Sequence, residues 1–279
     1  MLLKSGVNIN EVDNFEETPL LSALYREEVN FELIQEFVYQ GADVNAKDCW
    51  GVTPLYRAVV RHGKDLDLIR FLLENGADIQ SGKNLNDRFL DHTVTRNNEC
   101  AKLLVKYKFL KNYRLVLNMT DDDNDSRRDH LNYSKYKYIV DLDLKPSCYN
   151  YLANYLNDCT SEILQMNSVL LNNSFTLLDL VVEKNALKRF ENTETEEQVI
   201  NNIFNECYIY NYNIYKDVIA TRIGKRRLLK KLDNKLVYSK TWMPNNNRKK
   251  VILDLDLIYH ISDYLNDIDL FNIVVAFSE

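Results

Sequence analysis

An internal repeat of 35 residues constrains the fold of this chain more than any other feature of its sequence. Residues 6–23 contain Gly-Val-Asn-Ile-Asn and later Thr-Pro-Leu-Leu-Ser-Ala, and residues 41–58 carry Gly-Ala-Asp-Val-Asn and Thr-Pro-Leu-Tyr-Arg-Ala at the matching places. Residues 76–79, Gly-Ala-Asp-Ile, open a third copy. A period of this length is typical of small units that cannot bury their apolar faces alone and are stable only when stacked on their neighbours.

The second copy shows what one unit is expected to form. Thr53 is a natural helix N-cap, and Pro54 stands where the first helical N–H would have no partner. Apolar residues at helical spacing predict a second helix over residues 68–73, and Gly76 suits the left-handed residue that follows a last turn. Residues 42–51 are then predicted to form an extended finger that connects one unit to the next.

These motifs resemble the ankyrin repeat, whose pattern is Thr-Pro-Leu-His-x-Ala followed by Gly-Ala-Asp. The resemblance implies an all-α solenoid that binds other proteins. Leu21 and Tyr56 replace the histidine of the family, and Arg88-Phe89-Leu90 replaces the capping triad in the third copy, which makes that copy degenerate. A further outer helix is expected within residues 99–107, because they repeat the pattern of the helix before Gly76.

Phe15 and Trp50 occupy matching positions on two successive fingers. Finger tips are the usual contact sites in this family, so the two aromatic side chains are candidate partner-binding residues. Each could anchor a partner, or could only pack on the adjacent finger.

The remaining sequence divides the chain into four predicted segments. Residues 1–110 hold about three repeats, 111–146 form a degenerate linker, 147–245 are helical without a repeat, and 246–279 form a distinct tail. Residues 121–125 alternate carboxylates as a calcium loop does, but Ser126 takes the place of the required glycine and Asn132 that of the bidentate glutamate. The acidic stretch is therefore interpreted as a solvated loop.

Helical periodicity nominates core residues in the third segment. The candidates are Tyr151, Tyr155, Ile163, Leu164, Leu177, Leu178, Leu180, Val181, Val199, Ile203, Val218, Ile219, Leu228, Leu229 and Leu232. The basic residues 225–231 are interpreted as the solvent face of an amphipathic helix, with a nucleic-acid patch as the alternative. The aromatic residues 208–215 are expected either to pack in a core or to cover the repeats.

The tail resembles an F-box, because its apolar residues and a Tyr-Leu and an Asp-Leu pair fall in register with that motif. Asp254 stands where an F-box has proline, and the segment is shorter than a cellular F-box. The resemblance implies an adaptor-binding face formed by Leu253, Leu257, Ile258, Ile261 and Leu265. A terminal core helix is the alternative interpretation.

Repeats, a helical middle and a truncated F-box-like tail together resemble the poxvirus ankyrin proteins with a C-terminal PRANC domain. This resemblance implies that the tail docks on the Skp adaptor of a cullin–RING ubiquitin ligase, while the repeats hold an unknown host protein in the host cytoplasm or nucleus, to counter antiviral defence. Two alternatives stay open. The repeats could sequester a host signalling factor without any ligase, or the chain could be a poorly functional remnant of a longer protein.

Composition and motifs argue against other classes of function. The net charge of −6 gives no basic field for nucleic acid or an anionic membrane, and no apolar run is long enough to span a bilayer. The five cysteines include no Cys-x-x-Cys pair, so neither a metal site nor a disulfide framework is expected. The four histidines are scattered, and Ser134-Lys135-Tyr136-Lys137 has no companion motif. The chain is therefore expected to be neither an enzyme nor a cofactor-binding protein.

Overall fold

The computed structural model describes residues 8–79, 89–118, 136, 146–183, 186–190, 194–210, 212–224, 227, 240–242, 249–251 and 271–273. The chain divides into two compact units, residues 1–157 and 158–279, which are described separately below. The four segment boundaries predicted from the sequence stay predictions.

The described elements are mostly helical. The helices are α1 (Pro19–Leu24), α2 (Phe31–Tyr39), α3 (Pro54–His62), α4 (Leu66–Glu74), α5 (Phe89–Arg96), α6 (Asn98–Lys111), α7 (Tyr113–Leu117), α8 (Pro146–Ser168), α9 (Leu177–Val182), α10 (Glu194–Tyr210) and α11 (Lys216–Ile223), with a 3₁₀ helix at Ala186–Phe190. The strands are β1 (Leu170–Asn172), β2 (Phe175–Thr176), β3 (Lys240–Trp242) and β4 (Lys249–Val251). Both strand pairs are antiparallel and short, so they are a small exception to the all-α expectation.

Helices of the first unit pair in chain order: α1 with α2, α3 with α4, and α5 with α6. The first helices of the pairs also contact one another in sequence, and α4 contacts α6. Leu20, Leu24, Leu55, Ala58 and Leu72 are fully or almost fully buried in this stack. The small side chain of Ala58 allows close approach of neighbouring helices, as the repeat pattern predicts.

Helix ends in the first two pairs follow the expected local chemistry. The Thr18 and Thr53 hydroxyls accept from the backbone N–H three residues later, and a proline begins each helix. Gly41 and Gly76 both have φ of +90° just after α2 and α4. Any residue with a Cβ is strained at that angle, which explains why glycine recurs there.

The degenerate third copy still forms a helix pair. Helix α5 begins at Phe89, where the Thr-Pro start is missing, and α6 confirms the helix expected over residues 99–107. Helix α6 is buried on nearly all sides, and even Lys106 and Lys108 are only 4% and 3% exposed. Its Phe109 ring lies 6.1 Å from that of Tyr136, later in the same unit.

Helix α8 buries one stripe of side chains, and this stripe differs in part from the core predicted from the sequence. Residues spaced by four and three positions along it are fully buried: Leu152, Leu156, Cys159, Ile163 and Met166. Tyr151 and Leu164, which were predicted to be buried, are exposed. Both residues lie next to the stripe, at the wrong phase of the 3.6-residue period.

In the second unit, a single carboxylate holds the chain reversal before α11. The two oxygens of Glu162 accept hydrogen bonds from the backbone N–H groups of Asn213, Ile214 and Tyr215 at 2.8–3.1 Å. Tyr212 and Tyr215 are almost fully buried, which confirms core packing for these two residues of the aromatic segment. Thr176 and Asp179 form a reciprocal capping box at the start of α9.

Candidate protein-binding surface

The two fingers described, residues 8–17 and 41–52, turn in the same way because an aspartate side chain organises each. Oδ1 of Asp13 accepts from the N–H groups of Phe15 and Glu17 at 2.8 and 2.9 Å. Oδ1 of Asp48 accepts from those of Trp50 and Val52 at 2.9 and 2.8 Å. Such side-chain-to-backbone turns fix loops without help from a partner.

These turns bring the two candidate aromatic residues together. The Phe15 and Trp50 rings are stacked, with centroids 5.8 Å apart and planes inclined by 16°. The N–H of Cys49 also donates to the carbonyl of Phe15 at 3.0 Å, which joins the two fingers. Yet Phe15 remains 55% exposed and Trp50 54% exposed. The rings therefore pack on each other and still present apolar surface to solvent, while their role in binding stays a prediction.

Arg57 lies beneath this surface and was not singled out from the sequence. One of its guanidinium nitrogens donates to Glu17 at 2.8 Å and to the carbonyl of Leu21 at 3.1 Å, and the other donates to Asp48 at 2.6 Å. The residue is 6% exposed, and the Asp48 side chain is fully buried. Arg57 thus ties α3 to both fingers and to α1, the first helix of the preceding pair.

Two asparagines, 35 residues apart, each link one repeat to the next. Asn10 donates to the carbonyl of Gly41 and accepts from the N–H of Asp43, at 3.1 and 2.7 Å. Asn45 makes the same two bonds to Gly76 and Asp78, at 3.0 and 2.7 Å. The recurrence of Asn, Asp and Gly in the repeat was the signal that could have identified these contacts in advance.

The surface around the aromatic pair is acidic. Glu11, Asp13 and Glu16 are exposed on the first finger, which has no lysine or arginine. Partial desolvation, together with the carboxylates of Asp48 and Glu16, raises the pKa of the Cys49 thiol on the second finger. A negative potential therefore exists close to Trp50.

This arrangement is suited to binding rather than to chemistry. Its carboxylates are engaged in holding loops or lie in solvent. Across the part of the chain that the structure describes, no group of three or more His, Cys, Asp or Glu side chains is placed to hold a metal ion. Among those same residues, no helix has the length and apolarity needed to cross a membrane.

The second unit carries an open cleft beside the β1–β2 hairpin, with a volume of about 540 Å³. Its lining is neutral and consists of Leu170, Leu171, Asn172, Asn173, Ser174, Thr195, Gln198 and Asn202. Without a charged or nucleophilic group, this cleft is a weaker candidate site than the finger surface.

The predicted adaptor face of the tail, Leu253, Leu257, Ile258, Ile261 and Leu265, lies outside the described residues, as does the acidic loop at 121–125. Of the basic run, Arg227 is described, and its guanidinium pairs with Glu196 at 2.6 Å. Arg227 is therefore engaged within the second unit.

Comparison with known proteins supports the repeat assignment and is confined to it. Residues 1–83 match the family model for ankyrin repeats (3 copies). No match is found among curated proteins. The match covers 83 of the 279 residues and agrees with the paired helices, the capping threonines and the left-handed glycines found there. The first 83 residues of this chain are thus similar to ankyrin repeats, and this similarity indicates a role in protein interaction.

Proposed function

We propose that this chain is a protein-interaction adaptor whose repeats hold a target protein on the finger surface formed by Phe15 and Trp50. The observation that carries this proposal is the stacked pair itself, which is more than half exposed although both loops are fixed by hydrogen bonds. Large aromatic side chains dominate binding energies at protein interfaces. A loop that is already ordered loses little entropy on binding, so more of the contact energy appears as affinity.

The second arm of the proposal is the tail, which would recruit the Skp adaptor of a cullin–RING ubiquitin ligase. Support comes from the sequence, where Leu253, Leu257 and Ile261 keep the F-box register. Apolar side chains of this kind gain free energy when a partner buries them. In this proposal the chain is itself an adaptor of the poxvirus type. It acts in the host cytoplasm or nucleus, where it directs a host defence protein to ubiquitination.

The finger arm is tested by affinity purification of the full chain from host cells, followed by mass spectrometry. Trp50→Ala should remove the specific target, because it deletes the larger ring of the pair. Tyr39→Ala is the matched control, since Tyr39 is an aromatic residue with 70% exposure on α2 and not on a finger. Equal recovery of the target by both variants would exclude the finger surface as the binding site.

The tail arm is tested separately by pull-down of the purified Skp adaptor. Leu257→Asp combined with Ile261→Asp should abolish this interaction and leave target binding by the repeats intact. If the adaptor is still recovered, the ligase arm fails. Loss of the bound target in cells, reversed by a proteasome inhibitor, supports recruitment to a ligase, whereas unchanged target levels support simple sequestration.

A further inference from the structure

The two fingers carry an excess of negative charge around the aromatic pair. Residues 8–17 and 41–52 contain six carboxylates and one lysine. The carboxylates are Glu11, Asp13, Glu16, Glu17, Asp43 and Asp48, and the cation is Lys47. Four of the six are committed to the structure, since Arg57 pairs with Glu17 and Asp48 and turn amides engage Asp13 and Asp43.

The remaining carboxylates face solvent. Glu11 and Glu16 are exposed, and neither forms an ion pair with another described residue. Glu16 lies directly after Phe15 in the chain, with φ of +59°, so its side chain starts from a fixed left-handed backbone beside the ring. This surface therefore combines unpaired negative charge with exposed aromatic rings on which a partner can pack.

The Cys49 thiol lies within reach of these finger carboxylates. The Cys49 thiol precedes Trp50 and is exposed, yet its pKa is raised, by desolvation first and then by Asp48, Glu16 and Asp13. Carboxylates from both fingers therefore act on the thiol of the residue that precedes Trp50. A cation near that thiol would be stabilised by the same field that disfavours a thiolate.

The first unit already shows how cations and exposed rings combine in this chain. Tyr25, at the end of α1, is 55% exposed, and the Arg61 guanidinium lies 3.9 Å from the centre of its ring. Cation–π contacts of this kind are favourable on partly exposed rings. The Phe15 and Trp50 rings have a similar exposure, and no described cation is recorded over either ring.

We infer that the finger surface recognises a basic segment of its partner protein, in which a lysine or arginine lies on the Phe15–Trp50 pair and pairs with Glu11 or Glu16. This inference rests on the proposed binding role of the fingers and adds the chemistry of the partner. Charge complementarity would also speed association and select against acidic partners.

The experiment uses a displayed library of random peptides about twelve residues long, a length that spans an extended segment of roughly 40 Å. The library is selected on the full chain, and binders that also bind the Phe15→Ala/Trp50→Ala variant are removed. Selected peptides should be enriched in lysine or arginine relative to the unselected library. Each is then synthesised with a fluorescent label, and its affinity is measured by anisotropy.

Two pairs of variants separate the contributions of the ring and the charge. Trp50→Ala should weaken peptide binding by about tenfold or more, as expected for an interface anchor, while Tyr39→Ala should not. The Glu11→Gln/Glu16→Gln variant should weaken it several-fold, and Glu32→Gln, at an exposed residue of α2, should not. Raising the salt from about 50 to about 500 mM should weaken binding to the native chain more than to the Glu11→Gln/Glu16→Gln variant.

Different results would overturn the basic-segment proposal and the binding role of the fingers. Selected peptides that need Trp50 but contain no excess of lysine or arginine, and bind equally well at both salt concentrations, would overturn the basic-segment proposal and leave the binding role of the fingers standing. A selection that returns no peptide dependent on Phe15 and Trp50 would overturn both.

Discussion

The Arg57 guanidinium donates to the fully buried carboxylate of Asp48 at 2.6 Å and so joins helix α3 to the finger that precedes it. The same guanidinium reaches Glu17 on the first finger at 2.8 Å. A cation that is 6% exposed therefore bridges two carboxylates that belong to different repeats.

Arg57→Met should lower the free energy of unfolding by about 3–5 kcal/mol, because it keeps the volume but leaves Asp48 buried without its partner. Glu99→Gln, which breaks the ion pair with Lys102 on the surface of α6, should cost less than about 1 kcal/mol. Urea unfolding followed by circular dichroism measures both. Similar losses for the two variants would mean that the buried bridge contributes no more than a surface pair.

Gly41→Ala should destabilise the chain by about 1–2 kcal/mol. A Cβ at Gly41 would meet nothing within 4 Å, so the whole cost comes from the φ of +90°. Glu16 also has a left-handed backbone, with φ of +59°, and the matching residue of the next repeat is Gly51, with φ of +80°. Because glycine adopts such angles without strain, Glu16→Gly should cause no loss of stability. Thermal melting of both variants tests this, and a loss in Glu16→Gly as large as in Gly41→Ala would contradict the backbone explanation.

Glu162→Ala should destabilise the second unit by about 2–3 kcal/mol, because three backbone N–H groups lose a charged acceptor. The amide hydrogens of Ile214 and Tyr215 should then exchange with solvent much faster, which NMR measures directly. Glu197→Ala, at an exposed residue of α10, is the control and should leave these exchange rates unchanged. Slow exchange retained in Glu162→Ala would show that another group protects the turn.

The thiols should differ in their reactions with iodoacetamide. Burial raises the pKa of Cys100 to about 11, so almost no thiolate exists near pH 8 and the residue should stay unlabelled while the chain is folded. Because an unfolded thiol ionises above pH about 8.5, stability should decline as the pH rises from there towards 11.

Cys49 should react slowly for an exposed thiol, and added salt should accelerate its reaction with iodoacetamide by screening the carboxylates. Peptide mass spectrometry resolves the two sites, and a Cys49 rate independent of salt would contradict the acidic field.

The repeat architecture could be predicted because its signals are local. Thr53 caps a helix through its own hydroxyl, and Gly76 is required by a single backbone angle, so both can be recognised from residue type and spacing. The matching finger positions of Phe15 and Trp50 followed from the same period, although whether the rings pack on each other or protrude depended on three-dimensional geometry, and they do both.

The remaining features depended on contacts that the sequence does not display. Arg57 lies in an ordinary position of α3, and only the approach of Asp48 and Glu17 explains its burial. On α8, the predicted helical pattern included Tyr151 in the core, but the observed phase of the helix buries Leu152 instead.

Helix α6 also determines how far the array can extend. Both sides of a typical repeat stay available for stacking, but here the later part of the same unit already occupies α6, with Tyr136 against Phe109 and Tyr155 near Lys102. An extra repeat inserted after α6 would have to displace those contacts before it could stack. Duplication or deletion of 35-residue repeats, by evolution or by design, is therefore compatible with the fold before α5. After α6, in contrast, no further repeat can stack while these contacts remain.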